Sequence, residues 1–309
     1  MSAAAPRRRE KLRPASAPRA RPKRRREVPQ DPDPFGYDTS IHARVRPILR
    51  FLYERYWRVK VDGAENVPRK GAAIIVCNHS GAIPIDAAML YAATDFALPA
   101  PRLVRFLFDR FVSDMPLIGD LYRHVGAVPA SYENGLTLLR RGELIGLFPE
   151  GVAGVAKGFG HRYQLQEFRT GFVRMSLDAG VPIIPTAVVG AEEAYPVIGK
   201  LRGFGALRSL LNVPYIPMTP FFPWLGVLGV IPLPTQWRIR FGKPIRFHGD
   251  LGHLKIRPRT AKLLAQDVRR NIQGMVHELL SERDSLFVGR RRGVAASART
   301  GPARSKRSA

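Results

Sequence analysis

The hydrophobic pattern changes rhythm along the chain, and each change marks a predicted element. Residues 1–35 mix Arg, Pro and Ala without any period, so ordering them would cost conformational entropy that no burial repays. They are predicted to be a basic disordered tail. Across 36–58 the apolar positions Ile41, Val45, Ile48, Leu49, Leu52, Tyr53 and Trp57 fall at helical spacing, interleaved with Arg44, Arg46, Arg50, Arg55 and Arg58. That pattern predicts an amphipathic helix with a basic face, interrupted by Pro47. Such a helix suits a membrane surface, its apolar side in the headgroup boundary and its arginines on lipid phosphates. It equally suits packing on a protein core.

From 59 to 255 short β-like runs alternate with helical ones, the signature of an α/β layer architecture. Strands are predicted over 72–78, 104–108, 126–130, 144–148, 183–189 and 237–241, giving a mixed, largely parallel central sheet flanked by helices. The clearest helix covers 132–141, with Ser131 placed to accept from free backbone amides and Gly142 to take a left-handed turn. A second covers 168–179 and stops at Gly180. A last amphipathic helix within 256–285 precedes a second basic tail, 286–309. No charged residue occurs between Ser209 and Trp237, but prolines recur at 214, 217, 220, 223, 232 and 234. That spacing leaves backbone groups that hydrocarbon cannot satisfy, so the stretch is not predicted to span a bilayer. Its aromatics, Tyr215, Phe221, Phe222, Trp224 and Trp237, fit an interfacial lip, a wall for an acyl chain or a buried loop.

Composition adds two constraints. With 45% hydrophobic residues the chain can bury one substantial core, so a single domain with tails is expected. The lone Cys77 excludes an internal disulfide and a cysteine-based zinc site and fits a reducing compartment. The net charge of +25 is concentrated at the ends: residues 1–27 hold 11 Lys/Arg against 2 Glu, and 288–309 hold 7 with no acid. Tails of this kind can meet an anionic leaflet or nucleic-acid phosphates, or remain solvated. No helix-turn-helix, zinc-finger or base-stacking signature accompanies them, so no specific nucleic acid is expected as a partner. Neither a secretory apolar stretch nor a clean membrane-spanning one is visible, which predicts a peripheral protein on the cytoplasmic face of the membrane.

The candidate chemistry sits in two loops. Asn78, His79, Ser80 and Gly81 follow a hydrophobic strand, and Asp86 opens the next apolar run after Pro84; the order strand, loop, helix puts His79 at the sheet's carboxyl edge. A carboxylate at 86 can fold back onto one ring nitrogen and leave the other to take a proton. The second loop is Phe148, Pro149, Glu150 and Gly151, again where a strand ends. A third block, Val181-Pro182-Ile183-Ile184-Pro185, opens the following strand. His79, Asp86 and Glu150 have the right types to hold a metal, but their spacing matches no ligand pattern, and none is expected; nor does a Gly-x-Ser-x-Gly hydrolase elbow occur.

In these three ordered blocks the chain resembles the lysophospholipid acyltransferase superfamily, typified by 1-acylglycerol-3-phosphate acyltransferases. The resemblance covers about residues 55–250. It implies a His79–Asp86 dyad acting as general base, acyl-CoA or acyl carrier protein as donor, no bound cofactor, and a (lyso)phospholipid or other glycerolipid hydroxyl as acceptor. A neutral acceptor, diacylglycerol or an alcohol, is one alternative; a nucleic-acid-binding protein acting through its basic tails is the other. Amides near Ser80 and Gly81 are expected to stabilise the oxyanion, and Asn78, Phe148, Pro149, Glu150, Gly151 and Pro185 to shape the substrate site. The chain departs from the family twice. Six residues rather than four separate His79 from Asp86, and the family's two phosphate-binding arginines have no counterpart at 126–131 or 152–154. Lys157, Arg162 or Arg169, in the loop that follows, could supply a substitute cation, as could another surface position.

Overall fold

The structure, a computed structural model, describes residues 33–80, 85–113, 115, 118–201, 216–247, 256–283 and 285–287. Of the predicted tails, 1–35 and 286–309, residues 1–32 and 288–309 lie outside them, as do Gly81 with Pro84, Tyr215 and residues 248–255; Phe35, by contrast, packs against the core. Among the described residues nine strands are formed: β1 Lys60–Asp62, β2 Ala73–Cys77, β3 Val104–Phe108, β4 Val128–Pro129, β5 Leu144–Leu147, β6 Ile183–Val189, β7 Gly199–Leu201, β8 Ile216–Met218 and β9 Arg238–Phe241. Seven make one sheet in the order β1-β9-β6-β2-β5-β3-β4, while β7 and β8 pair separately. The pairs β2–β5, β2–β6, β3–β5 and β3–β4 are parallel. Strand β9 is antiparallel to β6 and carries β1 parallel beside it. The sheet is therefore mixed and largely parallel.

Strand β2 explains why the runs are continuously hydrophobic. Alternate side chains point to opposite faces: Ala73, Ile75 and Cys77 belong to one core cluster, Ile74 and Val76 to the other. Both faces are covered, as a parallel sheet requires. On the first face lie α1 Thr39–Phe51 and α2 Ile85–Phe96, whose buried Met89, Leu90 and Ala93 join Trp57 and Trp237. Two short helices, α3 Arg110–Ser113 and α4 Ile118–His124, lead from β3 to β4. The opposite face is covered by α5 Tyr132–Arg140, α7 Gly171–Ala179 and α9 Pro258–Ser281, with α6 Val152–Ala156 and α8 Ala191–Ala194 at strand ends.

Local signals account for many boundaries. Ser131 Oγ accepts the amide of Asn134 at 3.0 Å, opening α5, and Gly142 after it takes φ +78°. The strand expected over 126–130 shrinks to two residues because the amides of Gly126 and Ala127 are spent closing α4 on the carbonyls of Arg123 and Tyr122. The helix expected from 168 starts at Gly171, since Arg169 N is committed to the Pro149 carbonyl at 3.0 Å. Helix α1 tolerates Pro47 and widens into a π turn at Leu52–Tyr56. None of its residues is buried; it docks on α2 through an Arg46–Asp95 ion pair at 2.6 Å and the Arg46 and Arg50 guanidiniums over Phe96. Among the described residues no helix is long and apolar enough to cross a membrane.

Candidate active site

Where β2 ends, Asn78 bridges to β6 by both ends of its side chain: Nδ2 donates to the Val188 carbonyl at 2.9 Å and Oδ1 accepts the Val188 amide at 2.8 Å. Asn78 is thus a structural staple that fixes the residue after it. His79 then turns its Nδ1 to Asp86 Oδ2 at 2.7 Å. The buried carboxylate also accepts Ser80 N at 2.9 Å on Oδ2 and Ala87 N at 2.8 Å on Oδ1. These bonds fix the orientation of the carboxyl group in the first turn of α2. The six-residue separation therefore closes to a direct contact. With Nδ1–H donated to Asp86, Nε2 carries the lone pair; the tautomer is assigned from this bond. The Ser80 amide, already given to Asp86, is not free for an oxyanion.

The second loop packs against the first. Gly146 lacks the Cβ that would fall 2.6 Å from the Phe106 ring, so Phe106 lies flat and stacks on Phe148, which stacks on the His79 imidazole with centroids 4.3 Å apart. After the buried Pro149, Glu150 points inward: Oε1 accepts the amide of His79 at 2.8 Å and Oε2 that of Gln166 at 2.7 Å. Gly151 follows at φ +56° and ψ −144°, a conformation essentially confined to glycine. One turn on, Gly154 comes so close that a Cβ there would meet Glu150 Cβ at 2.9 Å and His79 Cβ at 3.0 Å.

Lys157, expected to face a substrate, instead turns into the protein. Its Nζ lies 3.0 Å from Glu192 Oε1 and 3.8 Å from Glu150 Oε2, with all three side chains buried. A lysine can be buried only when its charge is paired, and here two carboxylates do so. Burial pushes the Glu192 carboxyl above its ordinary range, against the pull of Lys157 and the Tyr163 amide. Glu192 was not singled out in the sequence; the signal available was an acidic pair directly after β6, on the edge that also carries His79. Burial, then the Asp86 and Glu150 carboxylates, push the Cys77 thiol well above its usual value, so this lone cysteine stays protonated and is no nucleophile.

Pro185 lies inside β6 in register with Val76, three residues below His79, and its carbonyl receives the Gly242 amide. It shapes the sheet rather than the mouth. Arg162 sits over the Phe159 ring. Arg169 is exposed, its guanidinium carbon 3.2 Å from where a Gly151 Cβ would stand, so this cation, unlike Lys157, borders the Phe148–Gly151 turn from outside. Among the described residues no three His, Cys, Asp or Glu side chains gather as metal ligands.

Residues 58–189 match the family model described as Acyltransferase. An uncharacterised protein of Mycobacterium tuberculosis is 41% identical over 83% of this chain and 72% of its own length, and one of Mycobacterium leprae is 40% identical over 83% and 70%. A human protein named DGAT1/2-independent enzyme synthesizing storage lipids is 28% identical over 78% of this chain and 69% of its own. Among solved structures, the 1-acyl-sn-glycerophosphate (LPA) acyltransferase PlsC from Thermotoga maritima covers 80% of each chain at 15% identity and a TM-score of 0.49. A 41% match over most of both chains, together with the family model spanning both candidate loops, leads to one assignment: the protein belongs to the acyltransferase family.

Proposed function

We propose that the protein transfers a fatty acyl group from a thioester, acyl-CoA or acyl carrier protein, to a glycerolipid hydroxyl, with His79 as general base. The reading rests on the 2.7 Å contact between His79 Nδ1 and Asp86. Nε2 takes the proton as the acceptor oxygen bonds to the thioester carbonyl carbon, and Asp86 stabilises the imidazolium, as in the base and orienting residue of a serine triad. The tetrahedral intermediate collapses with cleavage of the C–S bond, and the departing thiolate recovers the proton from His79. Ester and free thiol are the products, and no acyl-enzyme is needed, in keeping with the protonated Cys77. Replacing His79→Ala is expected to cut kcat by about 10²–10⁴, the usual worth of a general base. Wild-type turnover by the folded variant, measured with labelled acyl-CoA and a lysolipid panel, would sink the proposal.

The acceptor is proposed to carry a phosphate that meets Arg169 beside Gly151. Arg169→Gln should then raise KM for a phosphate-bearing lysolipid with kcat little changed, the mark of lost uniform binding. A second reading, a neutral acceptor such as diacylglycerol, is favoured by the name of the human relative. Under it Arg169→Gln leaves KM unaltered and mass spectrometry finds acylation of neutral lipids alone.

A further inference from the structure

We propose that the uncharged knob at residues 219–231 is a wedge that inserts into the surface of an anionic bilayer; the idea rests on the lipid-substrate reading above but is tested without turnover. The knob is closed on itself. Thr219 Oγ1 accepts the amides of Phe221 and Phe222 at 3.2 and 2.9 Å, and Thr219 N donates to the Phe222 carbonyl. Leu225, Gly226, Leu228 and Ile231 donate their amides to Phe221, Pro223, Leu225 and Leu228 in turn. Gly229 packs onto this turn so tightly that a Cβ would lie 2.5 Å from the Phe221 carbonyl oxygen. With these amides bonded within the turn, several apolar side chains are left outside it: Trp224 is 73% and Leu228 66% exposed, with Leu225 and Ile231 beside them in sequence. A loop that bonds many of its own amides lowers the cost of bringing irregular backbone to an apolar interface, and tryptophan is enriched there.

The knob's place in the fold selects a bilayer over other occupants. It continues from β8, whose partner β7 follows α8 at the carboxyl end of β6, and Leu233 N returns to the Ala194 carbonyl at 2.8 Å. It therefore rises from the sheet edge that bears His79. Tyr56 Oη and Trp57 Nε1 bond the carbonyls of Pro232 and Leu233 at 2.6 and 3.0 Å, which fastens the knob's base to the end of the α1 segment. That helix exposes Ile48 and Phe51 together with Arg44 and Arg50. Apolar side chains joined to a cationic helix, in a chain of net charge +25, complement lipid tails under anionic headgroups; an apolar protein partner would not call for that charge.

The protein carries its own probe. Of its three tryptophans, Trp57 and Trp237 are 1% and 0% exposed, so a change in emission reports Trp224. The full chain mixed with phosphatidylglycerol–phosphatidylcholine vesicles is expected to shift its emission to the blue and to be quenched by brominated lipid, less so with pure phosphatidylcholine or at high salt. Leu228→Asp should weaken vesicle partitioning by about tenfold or more, the loss of one buried leucine, and leave acyl transfer to a water-soluble short-chain acceptor at the wild-type rate. Absence of the blue shift, or partitioning unchanged in Leu228→Asp, overturns the proposal. So does a vesicle-independent dimer in sedimentation that Leu228→Asp dissolves, because a second copy would then cover the knob. If acyl transfer fails altogether while the vesicle response persists, the catalytic reading falls and this one stands.

Discussion

Around His79 the loops are held by buried charged side chains: Asp86, from the next helix, grips two amides and the ring, while Glu150 takes two more amides and Lys157 joins Glu150 to Glu192 from farther along the chain. Between Thr219 and Ile231, on the same margin of the sheet, no charged side chain occurs and the turn is held by its own amides and one threonine hydroxyl. The first construction fixes geometry through charged groups that share partners, with Glu150 and Asp86 both bonded to His79. The second is local, so its outward side chains are free of structural duty. Buried charge suits a site needing a set position for a base, and a self-contained turn suits a surface selected for what it touches.

Removing one charge should show the difference most strongly. Lys157→Met leaves Glu150 and Glu192 buried without their cation, and the expected loss is about 3–5 kcal/mol, as for breaking one partner of a buried pair; urea denaturation measures it. Next comes Gly154→Ala, whose methyl group has no room beside Glu150 and His79. Overpacking of this kind costs about 1–3 kcal/mol, and displacement of the base should lower kcat by up to about 10²-fold while KM for the donor changes little. Cys77 offers a pH test. Its thiol is raised in the folded protein, so the associated stability is fully present below the ordinary thiol value of 9.0 and is lost as pH rises towards the folded one. Maleimide labelling at pH 8 should accordingly be slow in the native protein and fast in urea. Leu228→Asp is expected to change folding stability least, within about 0.5 kcal/mol, as for ordinary surface sites. A loss near that of Lys157→Met would erase the contrast.

What could be read from the sequence follows the same divide. Strand β2, helix α5 with its Ser131 cap and Gly142, and the joining of His79 to Asp86 depend on local pattern or on nearby residues, and they were legible. The inward turn of Lys157 was not, because a lysine in a polar loop is ordinarily solvated and only the arrival of Glu192, 35 residues later, gives it a buried partner. Strand β1 escaped for a related reason: Lys60–Asp62 is too short to show alternation and exists by virtue of β9, some 180 residues away. Pro185 misled in the opposite direction, since a conspicuous motif residue can serve the register of a sheet and not its ligand.

Asn78 has a consequence for how base and carboxylate meet. Its two bonds to Val188, with the hold of Glu150 on the next amide, set the position of His79 from the β5 and β6 side of the sheet, while Asp86 is set by α2. Ser80 N, one residue after the base, donates to the same carboxylate, and lengthening a loop between two fixed points costs little in chain entropy. The contact between base and carboxylate is thus set by the two anchors and not by the number of residues that separates them.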